Sequence, residues 1–325
     1  MKKDNVKLMA VSAVIIAVIL LGSWIYMDGD DGSSDYREPT VGDLKELEST
    51  KDGVKSTMSI IILAEWEDKY LIQWTSEDGT VTNFISDDPS VVGPEMKNEH
   101  DMEKVGSETI DTPFGKKYCD VMSYKMTGED GTVMDCLAWY GGKVTYKVEM
   151  TSPDGSTTSV ILKSSTILGD APGDAEDYGV RTTFQSGDRI GYRSTSSGEF
   201  PDGNFISEFI VKSVDPATSD LLIDMQYGQA TFEDVPFTDD ELRQFVFEDD
   251  VDAPVKTKMY TCIGGLTDAW VTTETETIDG STTKTTTWTS FDGLVFAKYI
   301  EAYEGDELVG TSAITLDHCT LIEML

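Results

Sequence analysis

From residue 41 onward seven Asp-Gly pairs punctuate this chain, at Asp52, Asp78, Asp130, Asp154, Asp202, Asp279 and Asp292. Between them hydrophobic residues alternate with polar ones. Asp-Gly is a strong hairpin signal because the Gly supplies the positive φ that tight turns need. Period-two alternation marks a strand with one buried and one wet face. The clearest case sets Val144, Tyr146, Val148 and Met150 against Lys143, Thr145, Lys147 and Glu149. A longer one sets Val54, Met58, Ile60, Ile62, Ala64 and Trp66 against Lys55, Thr57, Ser59 and Glu65. The pattern predicts a mainly β fold of antiparallel meanders. Helix is scarce. Its best candidate is 238–246, where Thr238 and Glu241 form a capping-box pattern ahead of Leu242, Phe245 and Val246.

A second feature fixes the expected topology. Residues 8–27 carry no charge, and twenty helical residues reach roughly 30 Å, the thickness of a bilayer's apolar core. Lys2, Lys3 and Lys7 precede this run and Asp28, Asp30 and Asp31 follow it. The charge asymmetry predicts a cytoplasmic tail (1–7), a transmembrane anchor (8–27), an acidic linker (28–40) and an extracellular ectodomain. A cleaved signal peptide is the competing reading. Its apolar region is shorter and ends in small residues, whereas Trp24, Ile25, Tyr26 and Met27 close this one.

Residues 1–27 carry +2, so the rest of the chain must carry −37 to give the net −35. Such a surface repels nucleic acid and anionic lipid headgroups, which argues against both as partners.

The ectodomain repeats itself. Val41-Gly42-Asp43 corresponds to Ser186-Gly187-Asp188, and Tyr118-Cys119 to the neighbourhood of Tyr260 and Cys262. Trp139, Gly142 and Lys147 correspond to Trp288, Gly293 and Lys298, and 162–167 to 316–321. An acidic Gly/Pro linker, 169–180, separates the copies. Two homologous β-rich domains are expected, 41–168 and 181–325, each half-barrel or sandwich-like. The unit Thr112-Pro113-x-Gly115-x-Lys117-Tyr118-Cys119, followed by Trp139 and Gly142 and then Leu162-Lys163-Ser164-Ser165-Thr166, resembles N-terminally anchored surface proteins of methanogenic archaea. The meander is also similar to the half-barrels of the LolA/LolB lipoprotein carriers. That second resemblance implies a concave sheet face sheltering an acyl chain.

Catalytic patterns are sparse. Two histidines, His100 and His318, cannot write a two-histidine zinc helix, and no nucleophile elbow, dinucleotide fingerprint, P-loop or C-x-x-C occurs. No cofactor is expected. Glu248, Asp249, Asp250 and Asp252 are the densest acidic cluster and the weak candidates for a divalent cation, against a solvated loop. The 272–289 stretch, with ten threonines, reads as a solvated protruding hairpin. An exported chain with four cysteines should oxidise, and Cys119 with Cys136 and Cys262 with Cys319 are the candidate intra-repeat pairs. If Thr127 faces Thr132, however, Cys119 and Cys136 share a face but stand about four residues out of step. Met122, Tyr124, Met126, Met134, Trp139 and Met150 are candidates to line an apolar pocket, thioethers adapting to irregular guests.

Three functions fit these residues. A membrane-anchored, non-catalytic surface protein, binding or structural, fits best. A carrier or sensor of an apolar ligand such as a lipid is the alternative, with a protein ligand also open. An exported hydrolase using carboxylates is the third.

Overall fold

The computed structural model describes residues 37–87, 89, 102–127, 131–142, 144–198, 200, 203–248, 254–278 and 280–325. The expected tail and anchor, residues 1–27, lie outside these, as does the linker up to residue 36. Among the described residues no helix is long and apolar enough to cross a membrane. The chain is mainly β, as the alternation predicts, and divides into two compact units. One holds the described residues up to Ile62 with Ile72–Thr80 and Ser86–Pro172. The other holds Leu63–Leu71, Val81–Ile85 and Gly173–Leu325.

In chain order the first strands are β1 (Leu44–Lys51), β2 (Val54–Trp66), β3 (Lys69–Thr75), β4 (Val81–Ser86), β5 (Glu103–Thr112) and β6 (Gly115–Thr127). They continue with β7 (Val133–Gly141), β8 (Val144–Thr151) and β9 (Thr157–Ser165). Within the first unit, β5 to β9 form an antiparallel meander, and β1 joins β9 on one side to β2 on the other. Met58, Ile60 and Ile62 of β2 are buried as their alternation predicts, while Val54, beside the Asp52-Gly53 turn, is exposed. Both faces of the β6–β7 pair are covered: Met122, Tyr124 and Met126 are buried on one, Cys119 and Val121 on the other. Tyr118, at the strand's outer end, is exposed.

The second unit holds β10 (Tyr178–Val180), β11 (Arg189–Gly198), β12 (Gly203–Val214), β13 (Leu221–Tyr227), β14 (Ala230–Phe237), α1 (Asp239–Val246) and β15 (Val255–Thr261). These are followed by β16 (Gly265–Ile278), β17 (Ser281–Thr289), β18 (Val295–Glu304), β19 (Glu307–Cys319) and β20 (Ile322–Met324), the last pairing with β10. Here β15 to β19 form the meander, and β11 joins β19 to β12. These seven strands, β11, β12 and β15–β19, are joined in the same order as β1, β2 and β5–β9.

Helix α1 begins where the capping box places it, with Thr238 Oγ1 accepting from the Glu241 amide and the Glu241 carboxylate accepting from the Thr238 amide. The helix buries Leu242 and Val246, and Phe245 packs on Phe209 and Phe237. Residues 63–71 also cover part of this unit. Ala64 pairs with Met259, and Trp66 stands edge-on to Trp288 at 4.7 Å. The threonine-rich hairpin, β16–β17, differs from its expectation. Only its outer half is solvated, and Thr286, Thr287, Trp288 and Thr289 are buried because β18 and residues 63–71 cover them.

One contact set occurs in both units. Arg37 donates to both Asp43 carboxylate oxygens, which also accept from Thr166 Oγ1 at 2.6 Å and the Thr40 amide at 2.7 Å. Arg181 donates to both oxygens of Asp188 at 2.9 and 2.7 Å, and that carboxylate accepts from Thr320 Oγ1 at 3.1 Å and the Gln185 amide at 2.6 Å. The backbone repeats too. The Gly42 amide donates to the Ile62 carbonyl and the Gly187 amide to the Val211 carbonyl, each glycine at positive φ. One clasp ties the chain entering β1 to the residue after β9, and the other ties the chain entering β11 to the residue after β19. Burial pushes both aspartates up, but the hydrogen bonds, led by the arginines, more than offset it and hold both carboxyls below the usual range.

Candidate functional site

The six expected apolar positions divide. In β6–β7 the register sets Met126 opposite Met134, Tyr124 opposite Cys136 and Met122 opposite Ala138, and in β7–β8 Cys136 faces Met150. Directly opposed residues point the same way, so Met122, Tyr124, Met126, Met134 and Met150 share one buried face. Trp139 does not join them. It pairs with Val121 on the opposite face, donates from Nε1 to Glu108, and has the Lys147 ammonium 4.3 Å from its ring centroid.

That shared face continues across β8 and β9 onto β1, where sequence reasoning missed its most unusual member. Lys45 is only 4% exposed. With Leu47, Tyr146, Val148, Val160 and Leu162 it lines a cavity of about 20 Å³, room for a single water. Burial lowers the lysine's pKa to about 8. Counted from the clasp aspartates, the matching position in the second unit is Ile190, fully buried. The alternation did carry this signal, since Lys45, Leu47 and Ser49 share one parity.

A charged network in the second unit was also missed. His318 Nε2 lies 2.9 Å from Glu208 Oε1, and Nδ1 lies 3.1 Å from Asp317 Oδ2. Arg189 also binds Glu208, and Arg193 binds Asp317. A Cβ on Gly191 would lie 2.2 Å from the His318 ring, so any larger residue there must displace that ring. In the first unit the matching cross-strand pair is Glu46 with Ser164, joined by a 2.7 Å hydrogen bond. Nothing in spacing brings Glu208 to His318; strand order does.

Of the acidic cluster, Glu248 is described and is bound by Lys298 at 2.8 Å, while Asp249, Asp250 and Asp252 lie outside the described residues. Among the described residues no group of three or more His, Cys, Asp or Glu is placed to hold a metal. All four cysteines are free thiols. The hairpin register stands one residue from expectation, Thr127 facing Val133, so Cys136 faces Tyr124, five positions along β6 from Cys119. The odd offset puts these two thiols on opposite faces of the sheet, where no bond can join them. Burial pushes the Cys136 thiol up to about 11. Cys262 follows β15 and Cys319 ends β19, both in the second unit.

The second unit also carries an open cleft of about 400 Å³ between Glu248, Pro254, Trp270, Phe291, Asp292 and Gly293. Phe291 is 81% exposed, and its ring meets Trp270 at 5.5 Å and 63°.

No protein-family model and no curated protein matches this chain. Among solved structures it is similar to a Bacteroides fragilis protein with a YmcC-like fold, at 12% identity over 40% of this chain and 98% of that one, with a TM-score of 0.26. A lipoprotein candidate of Parabacteroides distasonis matches at 14% identity over 41% of this chain and 100% of that one, TM-score 0.27. The MucA/MucB complex of Pseudomonas aeruginosa matches at 9% identity over 94% of this chain and 93% of that one, TM-score 0.27. At scores this low the likeness assigns neither a fold nor a function to this chain.

Proposed function

We propose that the protein is a membrane-anchored, extracellular, non-catalytic surface protein, binding or structural, built from two copies of one β unit. The observation that carries this reading is the repeated clasp. β1, β2 and β5–β9 are joined in the same order as β11, β12 and β15–β19, and each set carries the same Arg, Asp and Thr contacts where its ends meet, which supports a rigid repeated architecture. Filled sheet faces support it further: Met122, Tyr124, Met126, Met134 and Met150 are buried, α1 buries Leu242 and Val246, and Trp66 stands against the buried Trp288. Burial of each such side chain is worth about 1.5 to 3 kcal/mol, so these faces are stable without a guest. Labelling intact cells with a membrane-impermeant amine reagent tests the reading. Ectodomain lysines should be modified without lysis; labelling only after lysis would refute it.

A carrier of an apolar ligand is the second reading, and Lys45 favours it. Lys45, buried where the other unit holds isoleucine, lines its cavity with Lys147, Thr145 and the apolar Leu47, Val148, Val160 and Leu162, two cations suited to an anionic head group at the end of an apolar face whose methionines can adapt to a chain. Saturable fatty-acid binding by the protein, lost in Met122→Glu with the fold retained, would establish this reading; no binding by the folded protein would remove it.

A further inference from the structure

We propose that the open end of the β12–β14 face, beside α1, docks a protein partner through an apolar segment flanked by lysine or arginine. Register lays the surface out. Phe209 stands opposite Met225 and Met225 opposite Phe232, so a row of apolar side chains crosses three strands on one face. Tyr227 lies two residues along β13 from Met225, and at the other end of that strand Leu221 faces Phe237, so parity adds them to the same face. Helix α1 roofs only the Leu221 end, where the Phe245 ring centroid stands 5.7 Å from that of Phe209 and 6.3 Å from that of Phe237. Beyond it the aromatics are bare. Tyr227 is 56% exposed, Phe232 47% and Phe245 itself 59%, and each forgoes the free energy of burial. They do not sit on a loose tip. The Gly228 amide donates to the Ile206 carbonyl at 3.1 Å, Gln226 Nε2 to the Gly228 carbonyl at 3.1 Å, and the Asp234 amide to Asp224 Oδ1 at 3.0 Å. Exposed large apolar side chains gathered on a rigid sheet mark an interaction surface.

The charges around this face select the partner. Residues 203–246 carry nine carboxylates and two cations, a net of −7. Both cations are engaged: Lys212 binds Asp224 and Asp234, while Arg243 donates to the Thr182 carbonyl and lies over the Phe247 ring. The pairing of Leu221 with Phe237 brings the Asp220 end of the β12–β13 turn to the start of α1, whose first turn holds Asp239, Asp240 and Glu241. Hydrogen bonds from the Thr238 amide and hydroxyl keep the Glu241 carboxyl below its usual range. The bare aromatics therefore end at an acidic margin, and Glu233 adds a carboxylate next to Phe232. A fatty acid or an anionic headgroup is repelled there, as is a second copy of a chain with net charge −35. A small molecule finds no enclosure on so open a face. Pro236 and the bulge at Asp234, φ +55°, spoil the β14 edge for strand addition, which leaves the face. A polypeptide segment with apolar side chains and a basic flank matches both the face and its margin. The inference rests on the binding reading above and gives it a partner class.

The test is surface plasmon resonance with the full chain held in a nanodisc of zwitterionic lipid, empty nanodiscs serving as the reference. The probes are two synthetic peptides with the same leucine- and serine-rich centre, one ended by lysines and the other by glutamates. The lysine-ended peptide should bind saturably in the micromolar range, and the glutamate-ended one at least tenfold more weakly. Phe232→Ser and Tyr227→Ser, changes at exposed side chains that leave the circular dichroism spectrum unchanged, should each weaken the lysine-ended peptide at least tenfold. Asp220→Asn combined with Asp240→Asn should narrow the difference between the two peptides. No binding, equal binding of both peptides, a difference that the aspartate changes do not narrow, or binding indifferent to Phe232→Ser and Tyr227→Ser would each overturn the assignment. So would a wild-type dimer that Phe232→Ser dissociates, since the face would then belong to a second copy. Surface labelling reads display of the protein and resonance reads this face, so one can fail without the other.

Discussion

Replacing Lys45 by methionine should stabilise the first unit, and the gain should shrink as pH rises. The side chain lies on a buried face, and its pKa is lowered from 10.5 to about 8 by loss of solvation. At 1.36 kcal/mol per pKa unit, keeping the folded-state lysine charged costs up to about 3 kcal/mol. The pH dependence follows from proton counts. Below pH 8 both states carry the proton and the folded state bears the full cost. Between pH 8 and about 10.5 the folded state releases the proton while the unfolded state keeps it, so stability rises with pH through that window. Cys136, raised to about 11, acts in the opposite direction, so the informative quantity is the difference between wild type and Lys45→Met. Urea unfolding followed by tryptophan fluorescence at pH values from about 7 to about 10.5 measures it. Lys45→Met also removes the contact that the lysine makes, so it should be more stable at neutral pH by less than that full cost, about 1 to 2 kcal/mol, and the gap should shrink as pH rises toward 10.5. A variant that is less stable at neutral pH, or a gap that does not shrink, would refute the reasoning.

The clasps should each matter to their own unit. Asp43→Asn or Asp188→Asn leaves an arginine facing an amide in a mostly buried site and should cost about 2 to 4 kcal/mol in urea unfolding. Both carboxyls are held low, so their contribution is present above the unfolded value near 3.9 and is lost as pH falls through the lower folded values; acid titration of either variant should lack that loss. Gly191→Ala should cost about 1 to 3 kcal/mol by overpacking against His318, and Gly191→Ala with His318→Ser should recover most of it; no recovery in the double variant would place the strain elsewhere. Thr238→Ala should cost about 1 kcal/mol by opening the capping box of α1, read as a shift in the second unit's denaturation midpoint. Peptide mapping after oxidation should find Cys119 and Cys136 unjoined, with Cys262 to Cys319 the one intramolecular bond; a Cys119 to Cys136 bond would contradict the β6–β7 register.

Local chemistry alone settles a good part of this protein. Alternation and Asp-Gly turns specify antiparallel hairpins because side-chain parity and positive φ are properties of neighbouring residues. The capping box at Thr238 and Glu241 likewise spans only four positions, and α1 starts there. The clasp was half legible. Gly42-Asp43 and Gly187-Asp188 stand out as repeats, but the partners Thr166 and Thr320 come from 123 and 132 residues away along the chain, and only the pairing of first and last strands brings them in. Register decided more. A one-residue slip in β6–β7 moved Cys119 to the face opposite Cys136 and parted Trp139 from Met122 and Met126, since every step along a strand reverses the side chain; its separation from Met134, five residues away on the same strand, was already fixed by parity. Lys45 was visible as a break in an apolar face, yet only packing on both sides turned that break into a buried charge. The cleft beside Phe291 had no sequence signature at all, because Glu248, Pro254, Trp270 and Phe291 lie apart along the chain, and their approach to one another is a property of the folded sheet.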